Sequence, residues 1–380
     1  MNNFFSQQNK MLEKIFRNAI SQGIFPGAAS SVFQGMGSSR KGMISCYGST
    51  SYQAGKVVDL ATIYDLASLT KPLATLPALV SLLGAGRISF AQKLEDLLQS
   101  KIPVDKREIS LRDLMGHRAG LASYLPLFSL VDQKEDPDQV KREVLRIILD
   151  HPLVHPPGRQ SLYSDLGYIL AGFIVEKQSG QNLAEYVRAA IYEPQGLGDR
   201  LFFNPRGNIR AGVYARGEYC LWRQRLLDGE VSDENCALLG GVAGHAGLFG
   251  DIGAVSALVC SLLDHWLGQE AKEQSKTLLD RDIILSCFAR QNQQNHDTWA
   301  LGVDTPSSLN SSAGRYLSPR SIGHLGFSGT SFWIDPRREL VMVLLSNRVH
   351  PCRSNQKIKK FRPLFHDTVI GELKKARESQ

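Results

Sequence analysis

The chain has 380 residues, of which 43% are apolar and 21% are charged, so it can bury a large core and lacks the composition of a disordered protein. No run of 18 or more apolar residues occurs, so we expect no membrane-spanning helix. The net charge is +7, and the segment from Lys357 to Gln380 accounts for much of it. Because this basic surplus lies at the C-terminus rather than along a groove, we do not expect nucleic-acid binding.

The N-terminus and the cysteines indicate a compartment. The opening sequence MNNFFSQQNKMLEK has no basic stretch followed by an apolar core, so no secretory signal is predicted. The six cysteines are scattered without a CxxC pair, which fits reduced thiols better than disulfides or a zinc site. His, Asp and Glu residues show no convincing metal-ligand spacing. We therefore expect a cytoplasmic protein without a metal or another cofactor.

Strand patterns occur near both ends of the chain. Apolar residues from Met11 to Ile20 recur at helical spacing, and Gly23 follows as a stop. The runs Ala28 to Phe33 and Met43 to Tyr47 read as the strands of a hairpin. Near the other end, three further strands are predicted and are followed by an amphipathic helix. These elements are Thr298 to Val303, Gly326 to Ile334, Leu340 to Ser346, and the helix from about Phe361 to Lys375.

The middle of the chain has helical periodicity and long loops. The predicted helices are Leu76 to Leu83, Val140 to Leu149, Leu166 to Glu176 and Leu183 to Ile191. The Gly- and Arg-rich region from Leu201 to Asn235 is expected to form long loops.

This order predicts an α/β (α+β) fold in which one antiparallel sheet is built from both termini, flanked by helices, and interrupted by an inserted, mostly helical domain. We place the sheet domain at residues 1–66 and 246–380 and the inserted domain at residues 67–245. The active site is expected between them.

Several common catalytic motifs are absent. The sequence contains no HExxH, Walker A, GxGxxG or GxSxG motif, so metalloprotease, P-loop, dinucleotide-binding and α/β-hydrolase functions lose their usual support. A serine followed three residues later by a lysine does occur, although chance alone produces this spacing in such a chain. The three pairs are Ser38/Lys41, Ser68/Lys71 and Ser354/Lys357.

Only Ser68 follows a short apolar stretch and begins a helix. Positions i and i+3 lie on one helix face, so Lys71 can reach the Ser68 hydroxyl. Pro72 is tolerated in the first turn, and the helix N-terminus supplies N–H groups where an oxyanion would develop. A serine hydroxyl needs such an adjacent base, and a lysine can serve if its pKa is lowered. The alternative interpretation is a capped helix with a surface lysine.

Two further segments complete a pattern. Tyr163-Ser164-Asp165 precedes the apolar helix from Leu166, and His324-Leu325-Gly326 opens the predicted strand from Gly326. In this order, the three segments resemble those of the penicillin-binding protein and class C-like β-lactamase superfamily of serine hydrolases. The sequences GEVSDEN (Gly229 to Asn235) and GGVAGHAGLF (Gly240 to Phe249) are similar to a subgroup of muramyl-peptide amidases and esterase-like proteins.

The resemblance implies a role for each position. Ser68 would attack a carbonyl group to give an acyl-enzyme, and Lys71 and Tyr163 would handle its proton. We expect the Lys71 ammonium to bring the pKa of the Tyr163 phenol nearer neutrality. The N–H groups of Ser68 and Phe327 would form the oxyanion hole.

Two departures from the superfamily pattern change the expected specificity. Asp165 stands where Asn is commoner; it could bond to Lys71 and hold it charged, contact a substrate amide, or cap the helix from Leu166. His324 and Gly326 stand where Lys-Thr-Gly is usual, and a mostly neutral imidazole binds a β-lactam carboxylate poorly. We therefore expect little or no β-lactamase activity.

Other candidate residues have structural alternatives. His245 lies in a Gly-rich turn and either lines the substrate pocket or does not reach it. His117 is more simply explained by a structural hydrogen bond. Glu230, Asp233 and Asn235 could order a substrate-facing loop or only build its turns.

The function expected from these observations is a serine hydrolase that cleaves an ester or amide through an acyl-enzyme on Ser68. The substrate would be a small molecule or a peptidoglycan fragment, such as a muropeptide or a small ester. The alternative is a catalytically silent, penicillin-binding-like module that binds a ligand. The sequence leaves the oligomeric state open.

Overall fold

The computed structural model describes residues 2–132, 136–204, 207–268, 279–291 and 297–378, and of residues 2–9 and 376–378 the backbone only. Its strands are β1 (Gly27–Gln34), β2 (Lys41–Gly48), β3 (Tyr64–Asp65), β4 (Leu201–Phe203), β5 (Tyr219–Cys220), β6 (Arg225–Leu226), β7 (Leu248–Gly250), β8 (Ile322–Leu325), β9 (Ser331–Asp335) and β10 (Leu340–Ser346).

The α-helices lie at both ends and through the middle of the chain. They are α1 (Asn2–Ser21), α2 (Leu76–Gly84), α3 (Leu94–Leu98), α4 (Leu111–Met115), α5 (Leu127–Leu130), α6 (Pro137–Asp150), α7 (Asp165–Ser179), α8 (Leu183–Val187), α9 (Glu234–Leu238), α10 (Ile252–Leu267), α11 (Arg281–Phe288) and α12 (Ile358–Glu378). Short 3₁₀ turns and two π-helical segments, Lys71–Thr75 and Arg188–Tyr192, connect some of them.

The main sheet joins the two ends of the chain. Its strands are antiparallel in the order β2-β1-β10-β9-β8. β1 pairs with β10 so that Ala28 faces Ser346 and Gln34 faces Leu340. The predicted fold class, a sheet built from both termini with helices on it, is therefore confirmed.

Alternate residues of β10 enter different cores, as expected for a strand covered on both faces. Leu340, Met342 and Leu344 pack in the core formed with α1 and α12. The intervening Val341, Val343 and Leu345 belong to the larger core, which includes α2, α7 and α10.

The segment Ala67–Gly84 is the central helix of the larger core. Among the described residues it is the segment with the length and apolarity of a membrane span, but 89% of it is buried inside the protein. Buried core helices have this composition.

Strands β3, β7 and β4 form a second, smaller sheet beside this helix. β3 directly precedes the segment Ala67–Gly84, and β7 follows the Gly-rich segment 240–247. The division into a sheet domain of residues 1–66 and 246–380 and an inserted domain of residues 67–245 stays a prediction.

Two strand predictions were wrong. The segment from Thr298 to Val303 is a turn, with one isolated bridge between Trp299 and Asp304, because the chain reverses at Gly302, whose φ is +82°. The predicted strand Gly326 to Ile334 is a strand only from Ser331 onward. Residues 326–330 instead form the turn that joins β8 to β9, and His324 lies in β8.

Candidate active site

Ser68 and Lys71 lie on the first turns of the segment Ala67–Gly84. The segment begins with a 3₁₀ turn, Ala67–Leu69, and continues as the π-helix Lys71–Thr75 before α2. Ser68 is half-buried, whereas Lys71 is completely buried. The Lys71 Nζ atom is 3.1 Å from the Ser68 Oγ atom. The alternative of a surface lysine beside a capped helix is therefore wrong.

The backbone before Ser68 is held in an unusual conformation. Ala67 has a φ of +48°, which a residue with a side chain rarely adopts. The Asp65 carboxylate accepts hydrogen bonds from the Ala67 N–H at 2.8 Å and the Ser232 N–H at 2.7 Å. The Ser328 hydroxyl donates to the Asp65 carbonyl at 2.7 Å. These bonds from two distant loops fix the entry to the helix and thus the position of Ser68.

The Lys71 ammonium has an acceptor for each of its three protons. It donates to the Ser68 Oγ atom, to the Asp165 Oδ1 atom at 2.7 Å and to the His245 carbonyl at 3.1 Å. Burial by itself would lower the pKa of Lys71, but the charge of Asp165 and the oxygen of Tyr163 raise it above its usual value. Lys71 is therefore a cation at neutral pH and donates to Ser68 rather than accepting its proton.

Tyr163 approaches Ser68 from the loop before α7. Its hydroxyl donates to the Ser68 Oγ atom at 2.9 Å, and the Lys71 Nζ atom lies 4.9 Å from the centre of its ring. Burial raises the pKa of Tyr163 to about 12 even though Lys71 opposes the rise. The expectation that Lys71 would bring this phenol nearer neutrality was wrong, because desolvation of the phenolate outweighs the attraction of the cation.

Asp165 is not the cap of α7. The Ser164 hydroxyl caps this helix by accepting from the Gly167 N–H at 3.3 Å. Asp165 is the first residue of the helix and is free to pair with Lys71. Of the roles considered for Asp165, holding Lys71 charged is the one that this geometry supports; its contact with substrate stays a prediction.

The turn after β8 brings Gly326 and Phe327 against the nucleophile segment. A side chain at position 326 would come within 2.7 Å of the Leu66 carbonyl and would also strike the Thr330 hydroxyl. Only glycine therefore permits this close approach. The Phe327 N–H has no hydrogen-bond acceptor within the described part of the chain, which leaves it available for an oxyanion; its place in an oxyanion hole stays a prediction.

His324 is buried and uncharged. Burial, with a smaller contribution from Lys71, lowers the pKa of His324 to about 3. Its Nδ1 atom lies 2.9 Å from the Leu325 carbonyl. The expectation that His324 is neutral where the superfamily has a lysine is confirmed, so this position supplies no positive charge to a substrate.

His245 does not line the substrate cavity. Its side chain is 1% exposed, and its Nε2 atom lies 2.8 Å from the Asp233 Oδ1 atom. Only its backbone carbonyl reaches the site, as an acceptor for Lys71. The substrate-binding role considered for the His245 side chain is therefore corrected, because its ring is turned inward to pair with Asp233.

The remaining candidates all have structural partners, and one of them, Asp233, also lines the cavity over Ser68. The His117 Nδ1 atom accepts from the Ser164 N–H at 3.2 Å. Asp233 caps α9 through the Cys236 N–H at 2.7 Å, and Asn235 bonds to the backbone of Leu125 at 2.8 Å. Glu230 pairs with Arg225 at 2.6 Å.

A cavity of about 580 Å³ opens over Ser68. Tyr163, Asp165, His324, Gly326 and Phe327 are among its lining residues. Further lining residues could not be found from the sequence, because no local motif distinguishes them: Tyr124, Trp299, Asp304, Arg348, Arg353, Lys359 and Arg362.

The cavity is lined by both acidic and basic side chains. Four acidic residues line it: Asp165, Asp233, Glu234 and the half-buried Asp304, in which burial raises the pKa to about 6. Arg348 and Arg362 line it too, and within the described residues neither guanidinium is hydrogen-bonded to a carboxylate. The exposed Lys359 adds a further positive charge. The cavity therefore offers an anionic ligand two cations, Arg348 and Lys359, that no carboxylate among the described residues neutralises.

Comparison with known proteins gives a consistent set of relatives. The model of the Beta-lactamase family matches residues 12–364. A protein of Escherichia coli K12, named provisionally as a D-alanyl-D-alanine carboxypeptidase, is 32% identical over 325 residues, or 78% of this chain and 71% of that protein.

Two solved structures share the fold. EstCE1, described as a hydrolase with promiscuous acyltransferase activity, is 17% identical with a TM-score of 0.71, over 94% of this chain and 98% of its own. The octameric penicillin-binding protein homologue from Pyrococcus abyssi is 18% identical with a TM-score of 0.69, over 93% of this chain and 77% of its own.

The charge state of the site predicts how the reactivity of Ser68 depends on pH. Since Lys71 and Tyr163 are both protonated at neutral pH, the rate of Ser68 acylation should rise about tenfold per pH unit from about pH 6 to 9. Asp165 raises the pKa of both groups, so Asp165→Asn should make this rise level off at least about one pH unit lower. The measurement is the second-order rate constant for labelling by a fluorophosphonate as a function of pH.

Asp304→Asn is the matched control, because it removes a carboxylate from the same cavity that does not interact with Lys71. Its alkaline profile should follow that of the wild type. A profile for Asp165→Asn that is unchanged or displaced to higher pH would contradict the charge assignment.

Proposed function

The chain belongs to the beta-lactamase family and is a serine hydrolase, and from this premise we propose that Ser68 attacks an ester or amide carbonyl to form an acyl-enzyme that water then hydrolyses. The observation that carries the proposal is the convergence of the Lys71 ammonium and the Tyr163 hydroxyl on the Ser68 Oγ atom, at 3.1 and 2.9 Å. A serine with two proton-handling groups in hydrogen-bond range meets the geometric requirement for nucleophilic catalysis.

Tyr163 is the first base in this proposal. The reactive form has lost one proton from the coupled pair of Lys71 and Tyr163, and the resulting phenolate takes the proton of Ser68 as its oxygen attacks the carbonyl carbon. Lys71 stays charged throughout and stabilises the phenolate. Tyr163 then gives the proton to the leaving amine or alcohol, and the same exchange activates water for deacylation.

The oxyanion forms at the turn after β8. The N–H groups of Ser68 and Phe327 donate hydrogen bonds to the substrate carbonyl oxygen, and these hydrogen bonds strengthen as the oxygen becomes negative. Removing one such donor typically slows a reaction by about 10²–10³-fold.

The substrate we favour is a peptidoglycan-derived peptide with a free carboxylate. Arg348 and Lys359 line the cavity without a carboxylate partner among the described residues, and a carboxylate is the group that such cations bind. The name of the E. coli relative points to the same class of substrate. A small ester is the other candidate acyl donor, and it needs no anion-binding group. Low β-lactamase activity and a cytoplasmic location stay predictions.

The proposal is tested first by a fluorophosphonate probe and peptide mass mapping. The wild type should carry the label on Ser68, and Ser68→Ala should carry none, because the probe phosphonylates only an activated serine. Ser38→Ala is the matched control, since Ser38 also precedes a lysine by three residues but is exposed in a hairpin turn. It should be labelled like the wild type.

Labelling at another residue, or equal labelling of Ser68→Ala, would overturn the assignment. A protein labelled on Ser68 yet inert toward peptides and esters alike would instead be the silent ligand-binding module.

The substrate class is tested with paired peptides. A peptide ending in D-Ala-D-Ala should be cleaved with a higher kcat/KM than the same peptide with its C-terminus amidated. The reason is that only the free carboxylate can pair with Arg348 and Lys359. Lys359→Gln should reduce this preference about two- to fivefold, as expected for a partly solvated ion pair. Equal rates on both peptides, or turnover of small esters only, would contradict the peptide proposal.

A further inference from the structure

Arg362 is a buried cation without a carboxylate partner. It lies on α12 and is 7% exposed. Its Nη2 atom donates to the Gly326 carbonyl at 2.6 Å and to the Thr330 carbonyl at 2.8 Å, and no ion pair involves it within the described part of the chain. Burying an unpaired charge is costly, so the presence of Arg362 at this position requires an explanation. The two carbonyl groups that it binds suggest one.

The Gly326 carbonyl belongs to the peptide group whose N–H is that of Phe327. In a planar peptide the carbonyl and the following N–H point in opposite directions. A donor that fixes the carbonyl of Gly326 therefore also fixes the direction of the Phe327 N–H. The same N–H has no protein acceptor among the described residues and is the proposed second donor of the oxyanion hole.

A charged donor does more than orient this peptide. A cation on the carbonyl oxygen withdraws electron density from the amide nitrogen, which makes the N–H a stronger donor to a developing negative charge. The turn is also closed on the other side, because the Gly326 N–H donates to the Thr330 carbonyl at 2.7 Å. The Gly326 carbonyl also accepts from the Gly329 N–H at 3.1 Å. Arg362 thus adds a charged donor to a carbonyl that the turn already holds, and this donor binds the Thr330 carbonyl as well.

We propose that Arg362 is a positioning residue for the oxyanion hole, which it orients and polarises through the peptide group between Gly326 and Phe327. The inference rests on the proposed function, since it needs an oxyanion beside Ser68. It assigns to α12, the last helix of the chain, a part in catalysis that does not involve contact with substrate.

A positioning role differs measurably from a purely structural one. A brace that only holds α12 against the sheet would, when removed, lower stability and activity together. A residue that polarises the oxyanion donor would slow formation of the tetrahedral state while substrate binding stays near its wild-type strength. Charge, rather than hydrogen-bonding capacity alone, would determine the size of the effect.

The experiment compares the wild type, Arg362→Gln and Arg362→Lys. The readouts are the rate constant for fluorophosphonate labelling of Ser68, kcat and KM for p-nitrophenyl acetate, and the thermal unfolding midpoint. Arg362→Gln should reduce the labelling rate and kcat by about 10- to 100-fold with KM within about twofold. Arg362→Lys, which keeps the charge but not the shape of the guanidinium group, should recover about threefold of that loss and stay below the wild type.

Arg40→Gln is the matched control. Arg40 is also largely buried and donates to backbone carbonyls, at 3.1 Å to Gly35 and 3.4 Å to Cys260. Unlike Arg362 it pairs with a carboxylate, that of Asp264, and it is not among the residues that line the cavity. This variant should lose stability without the loss in kcat.

Two results would overturn the inference. One is a folded Arg362→Gln or Arg362→Lys variant whose labelling rate equals that of the wild type. The other is a loss of activity in all three variants that follows only the loss of thermal stability. If Arg362→Gln does not fold, the comparison of Arg362→Lys with the wild type decides the matter. The lysine variant should then have a lower kcat than the wild type, with KM within about twofold. An unlabelled wild type would overturn the proposed function itself.

Discussion

A buried ammonium group determines how this site is built. Lys71 is taken completely out of water, so each of its three protons must find an acceptor and its charge must find a partner. The acceptors come from three parts of the chain: Ser68 one turn away, Asp165 at the start of α7, and the carbonyl of His245 in the Gly-rich segment before β7. The Lys71 ammonium has all its acceptors only when these three segments meet, and their meeting also fixes the position of Ser68.

The same requirement explains the protonation state of the free enzyme. Asp165 compensates the charge of Lys71 and thereby keeps it protonated, while burial keeps Tyr163 neutral. The resting site is therefore stable but contains little of the form that can accept the proton of Ser68. Pairing Lys71 with Asp165 therefore lowers the reactivity of the site at neutral pH. Arg362 provides a second instance of a buried cation, held by backbone carbonyls instead of a carboxylate.

The sequence sufficed for the parts of the site that local pattern determines. Ser68 and Lys71 were found from their spacing at a helix start, and Tyr163, Asp165, His324 and Gly326 from short motifs in a known order. β1, β2 and β10 followed from apolar periodicity, because these strands are continuous. The turn at 326–330 was missed because its conformation depends on the close approach of Gly326 to the Leu66 carbonyl, which is distant in sequence.

The contributions of Arg348 and Arg362 could not be predicted, since only the folded chain brings them to the cavity. The high pKa of Tyr163 was missed for a similar reason: burial, which sequence does not reveal, outweighs the neighbouring cation. The inward turn of His245 depends on Asp233, twelve residues earlier, which caps another helix.

The most direct test of this account is an NMR titration of Lys71. Lysine labelled with ¹³C at Cε would report the protonation of each ammonium group, and the Lys71 signal would be identified by its absence in Lys71→Arg. We predict that Lys71 shows no titration below about pH 9.5, because Asp165 holds its pKa above the usual value. A titration midpoint below about pH 8 would contradict it, since Lys71 would then be a neutral amine able to take the proton of Ser68 itself.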